Sequence, residues 1–254
     1  WNDVASEVWH HPGHEYNLDR MVAATKDGLD YFTAAFGPYQ HRQFRIVEFP
    51  RYRTFAQSFP NTIPYSEGIG FIARVRDDDP EDVDYPYYVT AHELAHQWWA
   101  HQVIGADVQG ETMLVESLAQ YSALMVMKRK VGEARMQRFL RYELERYLIG
   151  RSTEQKKELP LARVENQDYV HYRKGSLVMY ALQDYLGEAT LNRAIRAFRD
   201  EWAFRGPPYP TTLDFLRHVR AVTPPPLQGT IDDLFESIVL WDNRAASATA
   251  KRLP

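Results

Sequence analysis

No cysteine occurs in the 254 residues, which excludes a disulfide framework, a thiolate zinc site and a cysteine nucleophile. The compartment is left open, because a cysteine-free chain suits reducing and oxidising surroundings equally. Long apolar runs are missing too. Stretches such as Leu124 to Met127 and Ile238 to Trp241 fall far short of the ~20 residues that cross a bilayer. There is no basic excess: 30 Lys and Arg stand against 34 Asp and Glu, a formal net charge of −4. Nothing here would cover phosphates, so nucleic acid is not an expected partner. Gly (13) and Pro (15) are not enriched, and 44% hydrophobic with 25% charged residues is globular usage. Disorder, collagen-like and low-complexity classes are therefore excluded. No signal-peptide pattern opens the chain. It begins Trp1-Asn2-Asp3 without an initiator methionine, and we expect a piece of a longer protein. The length suggests one sizeable domain, or two lobes sharing a cleft.

Residues 1–14, ending His10-His11-Pro12-Gly13-His14, read as irregular, and their histidines as solvated. Leu18, Met21, Val22, Leu29, Phe32, Ala35 and Phe36 recur at helical spacing up to Gly37-Pro38. Strands are expected over 44–49 and 70–75, and a helix over 87–102 with Pro86 in its first turn. From Met113 to Met127 apolar residues lie on every side, the pattern of a buried helix. A helix over 133–149 carries one stripe of Met136, Phe139, Leu140, Leu144, Tyr147 and Leu148, followed by a loop over 151–158. Further helices are expected at 174–186, 189–204, 212–222 and 231–241, with Thr211/Asp214 and Thr230/Asp233 as capping pairs. A few early strands and then helices, without internal repeats, argue for an α+β fold with a small mixed sheet.

The chemistry concentrates in His92-Glu93-Leu94-Ala95-His96. Residues four apart on a helix share a face, with Cβ atoms about 5–6 Å apart. Two imidazoles so placed can bind one zinc ion, while Glu93, rotated roughly 100°, flanks the metal instead of ligating it. The plain alternative is a helix with polar residues on its wet face. Hydrolytic zinc needs a third protein ligand and an open position for water. Glu116 is the only ionisable group in an otherwise apolar helix, and a buried carboxylate needs a partner. A dication supplies one; an arginine from another helix is the alternative. Glu111 and Asp107 are rival ligands in a Gly-flanked polar loop.

His92 to Trp99 resembles the zinc helix of the gluzincin aminopeptidases, the family of membrane alanyl aminopeptidase and the leukotriene-hydrolysing aminopeptidase. Glu116-Ser117-Leu118-Ala119-Gln120-Tyr121 resembles that family's third-ligand helix. Tyr172-Arg173-Lys174-Gly175 matches its tyrosine-x-lysine-glycine element, and Glu67 stands where the family has its exopeptidase glutamate. The resemblance covers roughly residues 17–205. It departs in the nineteen residues from Gln97 to Val115, one more than the family usually has, and in an exopeptidase strand reduced to its glutamate. The family's flanking domains find no room here. The nearest resemblance is to the peptidase-like domain fused to bacterial ABC-type permeases, which implies membrane association through a permease in the parent chain.

What the resemblance implies is a thermolysin-like, two-lobed catalytic domain over 1–205 with a short helical extension over 206–254. Zn2+ would be held by His92, His96 and Glu116, acidifying its water and polarising the scissile carbonyl. Glu93 would act as general base and then acid. Tyr172 would donate to the oxyanion, its alternative being a packing tyrosine. Glu67, with Gly68 beside it, would bind the peptide's α-ammonium, and residues 68–75 would form an edge strand receiving the peptide by β-addition. A solvated loop acid is the alternative for Glu67. His101 reads as exposed or as supporting the site from behind. The expected function is zinc-dependent aminopeptidase action on peptides. The alternatives are a gluzincin endopeptidase and a non-catalytic peptide-binding domain of a transporter.

Overall fold

Leu18–Ala35 forms α1 where the apolar spacing places it, burying Met21, Leu29 and Phe32. The computed structural model describes residues 1–79 and 82–239. Helix α1 links two parallel strands, β1 (Ala5–Trp9) and β2 (Gln43–Phe49), and β3 (Thr62–Ser66) pairs with β2 on its other side. Both pairings are parallel, Val8 opposite Ile46 and Ile46 opposite Ile63, so the sheet is parallel where a mixed one was expected. Among the described residues antiparallel pairing is confined to bridges between Ala56 and Tyr65 and between Phe59 and Thr62.

Two strand expectations fail for identifiable reasons. Strand β1 lies in the segment read as irregular. It is an edge strand, mostly exposed, with Trp9 61% exposed, so it carries no apolar alternation to read. Residues 70–72 form a turn and 73–75 are irregular, where a strand was expected. Their carbonyls are captured by one buried side chain: Asn17 Nδ2 donates to Gly70 O (2.7 Å) and Ala73 O (2.8 Å).

The helical layer follows as α2 (Tyr85–Ala95), α3 (Leu118–Val131), α4 (Glu133–Thr153), α5 (Gly175–Leu186), α6 (Glu188–Trp202), α7 (Thr212–Val222) and α8 (Gln228–Ile231). Helix α2 ends at Ala95, seven residues short of the expected end, because the chain tightens and Ala100 takes φ 127°. Gly28 lets α1 approach α2, since a Cβ there would meet Leu94 Cδ2 at 2.7 Å. Beyond α2, Trp98 and Trp99 pack edge-on against Phe32 (5.4 Å) and Phe36 (5.2 Å), fixing the end of α2 to α1.

Helix α4 runs to Thr153, into the expected loop, with the Thr153 hydroxyl bonding back to Ile149 O. Its stripe is only half used: Met136 and Phe139 are buried, whereas Leu144 (44%) and Leu148 (52%) are exposed. Thr211 and Asp214 make the expected capping box on α7, which packs on α6 through Phe198 and Phe215. The expected 231–241 helix is instead α8 followed by a π-helical turn, Asp232–Glu236. Leu227 caps it where Thr230 was expected, and positions 240–241 lie outside the described residues. No helix among the described residues is long and apolar enough to cross a membrane.

Candidate metal centre

Asp84 begins α2 by accepting the Tyr87 amide (3.2 Å), and Pro86 occupies the first turn. The helix is buried almost throughout, so its polar residues His92 and Glu93, with His96 capping its end, must find partners inside. One turn apart, His92 and His96 bring their rings to 4.7 Å and their Nε2 atoms to 3.1 Å. His96 Nδ1 lies 3.0 Å from the Trp99 carbonyl, which places the ring proton there and leaves Nε2 as a free donor of electrons.

Glu116 comes from a π-helical turn, Met113–Ser117, that leads into α3. A continuous α-helix was expected here, and the wider turn aims the carboxylate at the imidazoles. Its Oε2 lies 3.3 Å from His92 Nε2 and 3.4 Å from His96 Nε2. The three atoms thus form a triangle with sides of 3.1–3.4 Å. A tetrahedral zinc with bonds of about 2.0–2.1 Å spans ligand–ligand edges of about 3.3–3.4 Å, so the donor set fits this metal. Glu116 Oε2 and His92 Nδ1 are buried without a hydrogen-bond partner. Burial would raise the Glu116 pKa, but His96 and His92 outweigh it and hold the carboxyl well below its ordinary range. The rival acids Asp107 and Glu111 belong to no such cluster among the described residues.

Glu93 lies beside this triangle. Burial raises its pKa, opposed by His92, His96 and the Ser58 amide. Tyr172 sits in a second π-helical turn, Tyr169–Lys174, with its ring 6.0 Å from that of His92. Burial, and then the facing Glu116 carboxylate, push its pKa far up, so the phenol keeps its proton. His92, Glu93 and Tyr172 line one cleft of about 210 Å³ together with Ala56, Tyr88 and Arg173. Sequence reasoning missed the pair behind its wall. Arg173 Nη1 donates to Glu143 (2.8 Å), a fully buried acid of α4 that also accepts the Ser176 hydroxyl (3.2 Å). A signal existed, because Glu143 follows Phe139 by four residues and Met136 by seven, on the same helical face.

Glu67 and Gly68 lie just past β3, and the carboxylate's ionic neighbours are His14 Nδ1 and Arg51 Nε, each at 3.9 Å. His14 is not solvated as expected. It bonds through Nδ1 to buried Glu48, which also accepts the His11 amide (2.6 Å). His14, Glu48 and Glu67 thereby form a second cluster of metal-capable groups. His101, half-buried, places Nε2 3.3 Å from the Ser58 carbonyl.

Comparison with known proteins agrees with this geometry. The chain is 26% identical over 123 residues to endoplasmic reticulum aminopeptidase 2 of Homo sapiens, a match covering 46% of this chain and 13% of that protein. It is similar in fold to a variant M1 zinc metallopeptidase from Deinococcus radiodurans (TM-score 0.66, 21% identity), over 91% of this chain and 47% of that one. A variant of that enzyme bound to a Tyr-Ser-Ala substrate gives TM-score 0.62 at 21% identity, over 91% and 46% of the two chains. The chain thus spans about half the length of these solved structures. The family model described as the peptidase family M1 domain matches residues 20–236. The chain belongs to peptidase family M1, whose matched solved structures are zinc metallopeptidases, and Zn2+ is the metal this membership implies.

Proposed function

We propose that this chain is the catalytic domain of a zinc-dependent aminopeptidase that removes residues from the amino ends of peptides. The observation that carries the reading is the triangle of His92 Nε2, His96 Nε2 and Glu116 Oε2, with Glu93 and Tyr172 lining the cleft that His92 also lines. These three would hold zinc, which when bound acidifies water and polarises a carbonyl. Glu93 takes the proton of the attacking water at its carboxylate and delivers it to the leaving amine. Its place in the cleft beside His92 puts it within reach of both transfers. The Tyr172 hydroxyl, still protonated, donates to the carbonyl oxygen as charge develops there. Glu67, beside Gly68, accepts the substrate's α-ammonium in place of its present cationic neighbours, His14 and Arg51.

That last pairing also favours a second reading, a gluzincin endopeptidase, in which Glu67 stays with His14 and Arg51 and no free amino end is required. Hydrolysis of matched peptides with free and blocked amino ends, by the unaltered protein and by Glu67→Gln, separates the two. The aminopeptidase reading requires a selective loss on free-ended peptides; equal loss on both rejects it. Absence of any chelator-sensitive hydrolysis would leave a non-catalytic peptide-binding domain.

We read residues 1–205 as the catalytic unit, thermolysin-like and two-lobed with the cleft between sheet and helices, and 206–254 as an extension packed on it. The Phe198–Phe215 contact and the Thr212 hydroxyl bonded to Gly110 O (2.8 Å) support that packing. The alanyl-aminopeptidase-type subfamily and attachment to a membrane permease are further proposals, carried by the sequence resemblance alone.

A further inference from the structure

Glu158 ends the stretch expected as a loop, and the peptidase reading gives it no role. Its side chain is nonetheless only 4% exposed and has three partners. Lys174 Nζ donates to Oε1 at 2.6 Å, the Tyr147 hydroxyl donates to Oε2 at 3.0 Å, and Arg151 Nε lies 3.3 Å from Oε2. Lys174 closes the π-helical turn Tyr169–Lys174 that presents Tyr172. We propose that Glu158 is a positioning residue for Tyr172, setting through Lys174 where the phenol stands in the cleft. The inference rests on the peptidase reading above and adds a residue that acts through Tyr172, without touching the substrate.

Stability alone does not account for this buried acid. Apolar residues of similar volume often serve a fold as well as a buried ion pair, because both charges must leave water. What a charge-assisted bond adds is a short, fixed separation between its partners. Glu158 is itself held from two sides. Tyr147 and Arg151 are one turn apart on α4, and Arg151 Nη1 donates to the Tyr147 hydroxyl (3.3 Å). On the other side, the buried Gln167 side chain accepts the Leu159 amide (2.9 Å) and donates to Lys157 O (3.1 Å). The Gln167 carbonyl in turn accepts the Val170 amide (2.9 Å), which ties the segment around Glu158 to the start of the Tyr172 turn.

The turn is thus anchored at residues on both sides of the phenol. At its start, Tyr169 stacks on Tyr147 with ring centres 6.0 Å apart, and a Cβ on Gly150 would lie 2.4 Å from Tyr169 Cβ. Past Tyr172, Arg173 is held by Glu143 and Lys174 by Glu158. An oxyanion donor must reach its oxygen at about 2.7–3.1 Å. A misplacement of about 1 Å can cost on the order of a hundredfold in rate. Releasing Lys174 frees the last residue of the turn while Arg173 stays held, so a part of that loss is expected.

The test uses zinc-loaded protein and tetraalanine, with a free or an acetylated amino end, whichever the unaltered protein cleaves. Glu158→Gln should lower kcat about tenfold, with KM within a few-fold and zinc content unchanged, its fold checked by thermal melting. In a Tyr172→Phe background the same change should cost less than about twofold, because a residue acting through the phenol then has nothing to place. Lys174→Met should give the same pair of results, and it decides alone if Glu158→Gln does not fold. Equal losses with and without the Tyr172 hydroxyl, or an unchanged kcat in both variants, overturn the positioning role and leave the peptidase reading standing. Cleavage of neither peptide would remove both.

Discussion

The Ser117 hydroxyl donates to the His171 carbonyl at 2.7 Å, which ties the turn presenting Glu116 to the turn presenting Tyr172. The two turns touch again at Gly175, where a Cβ would lie 2.2 Å from Ser117 Oγ and 2.8 Å from Ser117 Cβ. Ser117 is fully buried and its hydroxyl is held by the His171 carbonyl, so it cannot swing away. Gly175→Ala should therefore destabilise the protein by about 1–3 kcal/mol, the usual cost of overpacking. Urea denaturation measures it. A change below about 0.5 kcal/mol would mean that the two turns are free to separate.

The proposed metal site has a consequence separate from activity. Zinc that binds only the folded chain adds about 2.7 kcal/mol of stability at a free concentration of one hundred times its dissociation constant. Purified protein should carry roughly one zinc per chain, and removing it with a chelator should lower the melting temperature. His92→Ala and Glu116→Ala should each abolish both the bound metal and the chelator effect. Retention of zinc by either variant would place the ion elsewhere.

Glu93 and Tyr172 should separate from the ligands by their signature. Glu93→Gln is expected to lower kcat about 10²–10⁴-fold, as loss of a general base does, with zinc content unchanged. Tyr172→Phe is expected to cost about 10²–10³-fold. In both, KM should stay within a few-fold, because these two side chains act on the substrate only as charge moves in the transition state. A rise in KM with kcat intact would recast Tyr172 as a substrate-binding group.

The meeting of His92 and His96 was legible because its information is local: the two need only one helical turn to come together, and they do. Glu116 was legible by elimination, as the single charge in an apolar run. Its π-helical turn was not, since no local apolar spacing distinguishes that turn from the α-helix that follows it. Strand β1 escaped because an exposed edge leaves no alternation. The strand expected over 70–75 failed because a distant side chain, Asn17, takes carbonyls that a ladder would have used. The His14–Glu48 bond joins residues thirty-four apart, beyond any local pattern.

Behind the cleft, Glu143 is wholly buried and Arg173 is its only cationic partner among the described residues, at 2.8 Å. Removing one member of such a pair strands the other, at a cost of about 3–5 kcal/mol when both are sealed from water. Arg173 keeps 24% of its side chain exposed, so Glu143→Ala should fall at the lower end, about 3 kcal/mol. Glu143→Gln, which retains an acceptor for Arg173 and Ser176, should cost less. Because Arg173 adjoins Tyr172, kcat should fall in Glu143→Ala even where the protein remains folded. Equal stability of the two variants would show that the pair contributes packing alone.

The His14–Glu48 contact gives the amino-terminal segment a pH dependence whose sign is fixed. The hydrogen bond to Glu48 raises the His14 pKa above its ordinary 6.5, outweighing burial, and the charges of Glu67 and Glu15 act in the same direction. Among the described residues the other ring in contact with it is His11, 5.9 Å away. A group whose folded pKa exceeds its unfolded value adds stability that is complete below the unfolded value. That stability is lost as pH climbs through the folded one. The melting-temperature gap between the unaltered protein and His14→Ala should thus be widest near pH 6 and shrink as pH rises beyond the folded value. An NMR titration should place the His14 midpoint above 6.5. A gap that widens with pH, or a midpoint at or below 6.5, would show that Glu48 accepts from a neutral imidazole and that the contact gives no switch.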